Sequence, residues 1–152
     1  MNKQILALTI SADTEHDHNI LSIMNEMTLT DPSVNIKLFT TQYDLLMSTK
    51  AFCVLPIYEA KYSRGVMVVW DLLSLELVLD FPNLESIVYL QDSNIPWDQN
   101  TSIDYNKWAY LFDNPKVKII TDNNSVAEVF ALTWKRPTLI ENISPEVLYA
   151  NI

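Results

Sequence analysis

Asp92 lies in a short polar stretch, Gln91-Asp92-Ser93-Asn94, directly after the apolar run Ile87-Val88-Tyr89-Leu90. A carboxylate there could take a proton from a hydroxyl, or it could cap the turn through its side chain. Trp97 follows Pro96, and its ring could stack on a planar ligand or join the core. Tyr58, Glu59, Lys61, Tyr62 and Arg64 form a second group. Two aromatics among cations suit contact with nucleic acid or another protein, and equally a solvated loop. A third group, Asp13, Glu15, His16, Asp17 and His18, has the residue types of a metal site. Residues two apart on a helix point to different sides, so these do not converge on one ion and no metal is expected. The acids suit a helix start instead. No serine is flanked by the glycines of a nucleophile elbow, which leaves a hydrolase triad without support.

Gly65 is the only glycine in 152 residues, where about ten would be ordinary. Loops that cradle phosphates need several glycines for the backbone to approach the ligand. The P-loop and the dinucleotide fingerprint are therefore absent, and a conventional NTPase or dehydrogenase is excluded. The formal net charge of -9 disfavours duplex DNA as a partner of this chain alone, because such affinity comes largely from neutralising phosphates. Cys53, in Ala51-Phe52-Cys53-Val54-Leu55, reads as a buried thiol, and a lone cysteine suits a reducing compartment. Met1-Asn2-Lys3-Gln4 leads into an apolar stretch too short for a signal peptide or a membrane span, so no membrane association and a cytoplasmic location are expected.

The elements that must position these residues alternate along the chain. Ile5 to Ile10 reads as a strand, and Ile20, Ile23, Met24 and Met27 have the spacing of one helix face. Val34 to Phe39 and Ala51 to Ile57 read as the next strands, with a short helix around Tyr43 between them. Residues 58–65 read as a polar loop. The run from Val66 to Phe81 is nearly all apolar, and its length favours one buried helix. Ser86 to Leu90 and Val117 to Ile120 are further strands, separated by a helix with Tyr105, Trp108, Ala109 and Phe112 on one face. Ser125 and Glu128 match a capping box that would open the following helix. Thr138-Leu139-Ile140 is a sixth, short strand, and Pro145 starts a last helix. This alternation predicts one α/β domain over residues 1–152, a Rossmann-like, mostly parallel sheet of about six strands with helices on both faces. Ligands of such sheets gather at the carboxyl ends of strands, which singles out residues 11–16, 58–65, 92–99 and 121–125.

The segment Tyr89-Leu90-Gln91-Asp92-Ser93-Asn94-Ile95-Pro96-Trp97, followed by Trp108-Ala109-Tyr110-Leu111, resembles the phage DNA β-glucosyltransferases. In that family a Tyr-Leu strand end leads to a catalytic Asp and a Leu-Pro-aromatic turn, and a Trp-Ala-Tyr-Leu segment follows. The resemblance implies the N-terminal, acceptor-side half of a two-domain GT-B enzyme. Asp92 would be the general base, with Tyr58, Tyr62, Arg64, Asn94 and Trp97 as acceptor-binding residues and hydroxymethylated cytosine in DNA as the acceptor. It also implies a UDP-sugar donor, held mainly by a second domain. The chain stops at Ile152, about where the linker to that domain would begin, and the family's donor-gripping Arg and Glu have no counterpart here. The expected partner is therefore a second glycosyltransferase domain, another protein, or a second copy of the chain. A phage-encoded protein of this kind would work in the host cytoplasm. The alternative is a non-catalytic descendant kept as an interaction module or inhibitor. On either reading Trp97, Tyr58, Tyr62, Val147, Leu148 and Ile152 are expected to face water and mark an interface.

Overall fold

A computed structural model describes residues 3–46, 49–94, 105–135, 137–139 and 145–151. Seven parallel strands form one sheet in the order β3-β2-β1-β4-β5-β6-β7. They are β1 (Lys3–Leu8), β2 (Val34–Thr40), β3 (Cys53–Pro56), β4 (Gly65–Val69), β5 (Leu84–Gln91), β6 (Val117–Thr121) and β7 (Thr138–Leu139). The order reverses between β1 and β4, which makes the sheet a doubly wound, Rossmann-like α/β fold.

Helices on both faces explain why the strands are apolar at nearly every position rather than at alternate ones. Ile5, Ala7, Val68, Trp70, Val88, Leu90 and Ile120 join one core cluster with α1 (Glu15–Thr30) and α6 (Pro145–Asn151). Leu6, Leu8, Met67, Val69, Ile87, Tyr89 and Ile119 join the other, with α3 (Leu72–Leu79), α4 (Tyr105–Phe112) and α5 (Asn124–Thr133). The remaining helix, α2 (Tyr43–Leu46), adds Tyr43 and Leu46 to the first cluster.

The apolar run Val66–Phe81 is a strand and a helix, not one helix. Asp71 divides it by accepting a hydrogen bond from Ser74 N at 2.8 Å, as the N-cap of α3. Its β-branched first half pairs with β1 and β5. This added strand raises the expected six to seven. It also turns residues 57–65 into a crossover: a 3₁₀ helix, Ile57–Tyr62, leads from the end of β3 to the start of β4. Gly65 ends that crossover with φ at +99°, beside a register irregularity against β5. A residue with a Cβ would be strained in that conformation.

Three further expectations are corrected. α5 starts at Asn124 with Asn123 as its cap, accepting from Val126 N at 3.1 Å, so Ser125 and Glu128 do not open the helix. Leu148 is fully buried against the α1 side of the sheet, because α6 lies on the core rather than presenting an apolar face to water. Val147 is half-buried. Cys53 is exposed, because β3 is the sheet's edge strand and its alternation buries Val54 instead. A thiol reagent should therefore label Cys53 in the native protein nearly as fast as after denaturation. Labelling that waits for unfolding would contradict the placement of β3.

Candidate functional site

Two polar clusters occupy the carboxyl end of the sheet. The first fills the point where strand order reverses. Thr14 caps α1 by accepting from Asp17 N at 3.0 Å, and Asp17 Oδ2 accepts in return from Thr14 N at 3.1 Å. Asp17 is only 3 % exposed, and its Oδ1 accepts from Trp70 Nε1 at 2.7 Å. Across the gap, Asp71 Oδ2 accepts from Ser74 Oγ at 2.7 Å, while Ser74 Oγ accepts from Ile10 N at 3.1 Å. Thr9 Oγ1 lies 3.2 Å from Asp17 Oδ1 and 3.3 Å from Asp71 Oδ2, but its one proton has a nearer acceptor in Ser11 O, at 2.7 Å.

In doubly wound sheets this crevice, with helix N-termini turned towards it, is the usual seat of a ligand phosphate. Here the helices' own carboxylates fill that role. A phosphate there would face the Asp17 and Asp71 side chains and find the Asp17 and Ser74 amides already bonded to the helix caps. In the sequence this arrangement is marked by the patterns Thr14-x-x-Asp17 and Asp71-x-x-Ser74.

The second cluster lines a cleft of about 350 Å³ over the ends of β5 and β6, on the α1 face. Ile20 and Ile23 of α1 form one wall and Leu90 and Ile120 form the floor. Gln91, Asp92 and Ser93 follow from β5, Thr121 and Asp122 from β6, and His16 and Asn19 from α1. The hydrophobic alternation of the strands accounts for this division. Leu90 and Ile120 point to the α1 core, and the chain turns polar where each strand leaves the sheet.

Asp92 is held from one side. Its Oδ1 accepts from Asn94 N at 2.9 Å and from Gln91 Nε2 at 3.3 Å. Among the described residues its Oδ2 has one long contact, 3.5 Å from Asn94 Nδ2. One oxygen fixes the loop and the other stays available, which is the division a general base requires. Beneath the loop, on the opposite face, burial pushes the Tyr89 phenol well above its ordinary range, and the Asp71 and Asp92 carboxylates push it further. Tyr89 therefore keeps its proton throughout the physiological range.

Of the residues singled out from sequence, Asp92 and Asn94 lie together in this loop. Tyr62 and Arg64 lie elsewhere. With Lys37 and Glu59 they line a separate groove of about 380 Å³ on the opposite face of the sheet. Arg64 precedes the amino end of β4, whereas Asp92 follows the carboxyl end of β5. Tyr58, in the first turn of the 3₁₀ helix, is 71 % exposed, and Tyr62 is 74 % exposed. Trp97 and Ile152 fall outside the described residues. His16 and Asp122 fall within the strand-end stretches 11–16 and 121–125 singled out together with 92–99, whereas Gln91, the last residue of β5, lies outside them. Among the described residues, no three of His, Cys, Asp and Glu are grouped to hold a metal ion, and no helix is long and apolar enough to cross a membrane.

No protein-family model, curated protein or solved structure matches the chain.

Proposed function

We propose that this chain is the acceptor-binding half of a glycosyltransferase similar to the phage DNA β-glucosyltransferases, with Asp92 as the general base that deprotonates the acceptor hydroxyl. The observation that carries the reading is the half-free Asp92 carboxylate in a cleft at the carboxyl end of β5. Asn94 serves by holding Asp92 Oδ1. The filled crevice between β1 and β4 supports the same division of labour, since a half whose own phosphate seat is taken by Asp17 and Asp71 must receive its UDP-sugar from a second domain or subunit. DNA carrying hydroxymethylated cytosine is the acceptor the resemblance implies, and the net charge of -9 leaves much of the grip on its phosphates to that partner.

Tyr58 and Tyr62, both largely exposed on one short helix beside Arg64, favour a second reading. Aromatic residues and arginine are enriched at protein interfaces, so this surface also suits a non-catalytic interaction module.

Calorimetry with UDP-glucose separates the two halves of the claim. The chain alone should give no saturable heat and no turnover. Adding a nucleotide-sugar-binding GT-B half should produce sugar transfer to hydroxymethylated DNA. Micromolar binding of UDP-glucose by the chain alone would contradict this division of labour.

A further inference from the structure

Gln91 holds the clue to what the cleft accepts. The residue is 5 % exposed and lines the cleft. Its Nε2 donates to Asp92 O at 3.2 Å and to Asn94 O, and it also approaches Asp92 Oδ1. Turning the amide over would set Oε1 against those three oxygens, so the network fixes its orientation. Oε1 is thereby left buried with no hydrogen-bond donor among the described residues. On α1, His16 lines the same cleft, and its Nε2 is likewise buried and has no partner among the described residues. Buried polar atoms are nearly always satisfied, and leaving one unmade is costly.

These atoms define a chemical demand. Gln91 Oε1 takes only a donor, and so does the under-used Asp92 Oδ2. His16 Nε2 takes a donor or an acceptor according to its tautomer, and a hydroxyl satisfies either. Phosphate offers acceptors at neutral pH and would also meet the Asp92 and Asp122 carboxylates. The walls, Ile20, Ile23, Leu90 and Ile120, suit the apolar faces of a ring.

We propose that this cleft binds an uncharged ring bearing hydroxyl groups, that Gln91 Oε1 and His16 Nε2 are its specificity-determining contacts, and that no phosphate group enters the cleft, so that the phosphates of a DNA acceptor stay outside it. The inference rests on the acceptor-side reading for its connection to catalysis, though not for its geometry. Gln91 thus has two tasks: its amide nitrogen latches the Asp92 loop and its amide oxygen receives the ligand.

The test is a titration of the isotope-labelled chain, followed through the Gln91 side-chain amide and the backbone amides of residues 16–23 and 91–94. The probes are methyl β-glucoside and myo-inositol, each compared with a phosphorylated counterpart, glucose 6-phosphate and inositol 1-phosphate. The neutral probes should shift these signals saturably, and the phosphorylated ones should bind at least about tenfold more weakly. His16→Phe breaks no internal hydrogen bond made by Nε2, so it should leave the melting temperature unchanged while weakening the neutral probes about fivefold or more. Gln91→Met should abolish the shifts, and its melting curve reports any loss of the loop latch separately. Absence of saturable binding, equal binding of phosphorylated probes, or an indifferent His16→Phe variant overturns the proposal. Selective probe binding without any transfer activity would sink the glycosyltransferase reading and leave this inference standing. Transfer activity that His16→Phe and Gln91→Met leave untouched would do the reverse.

Discussion

Phe112→Ala is expected to destabilise the domain by about 3–5 kcal/mol, the usual cost of deleting a fully buried aromatic ring. Phe112 has no exposed surface. It meets Tyr89 with ring centroids 5.7 Å apart, Phe130 at 5.1 Å, Trp108 at 6.2 Å and Trp134 at 6.4 Å. The contacts with Tyr89 and Phe130 are edge-to-face, an arrangement worth more than area burial alone. The ring therefore ties α4 and α5 to β5, the strand that delivers Asp92. Differential scanning calorimetry should show a loss of melting temperature on the order of 10 °C. A loss of only a degree or two would mean that α4 is not docked on the sheet. The neighbouring Tyr110, 55 % exposed, serves as the control, since Tyr110→Ala should stay within about 0.5 kcal/mol of the parent.

The parallel sheet was legible because its strands are buried on both faces and read as unbroken apolar runs, as at Ile5 to Leu8 and Ile87 to Leu90. The same property hid β4. In Val66–Phe81 a strand and a helix are both largely apolar, so periodicity could not divide them, and the boundary is marked by the Asp71 cap. Missing β4 also misplaced Tyr62 and Arg64, because a segment read as a strand-end loop is a crossover leading to the amino end of the central strand β4. Cys53 was misread for a related reason: an apolar neighbourhood says nothing about which strand lies at the edge. At the candidate site, Asp92 was legible through its position and motif. Gln91 and His16 were not, since their significance depends on hydrogen bonds that are missing in three dimensions rather than on any spacing in sequence.

Asp92→Asn carries the largest expected effect on function. The substitution keeps an oxygen to accept from Asn94 N and keeps the side chain's size, so the loop and the acceptor site should survive. What it removes is the basic oxygen, replaced by an amide that cannot take a proton. Loss of a positioned general base typically costs about 10²–10⁴ in rate. The decisive measurement is the single-turnover rate of glucose transfer to hydroxymethylated DNA. The chain would be completed by a nucleotide-sugar-binding half and assayed with Asp92 or Asn at this position, with acceptor affinity measured alongside. The expected result is a rate lower by about 10²–10⁴ at nearly unchanged acceptor affinity. A variant that transfers glucose within about threefold of the parent rate would show that Asp92 is not the base.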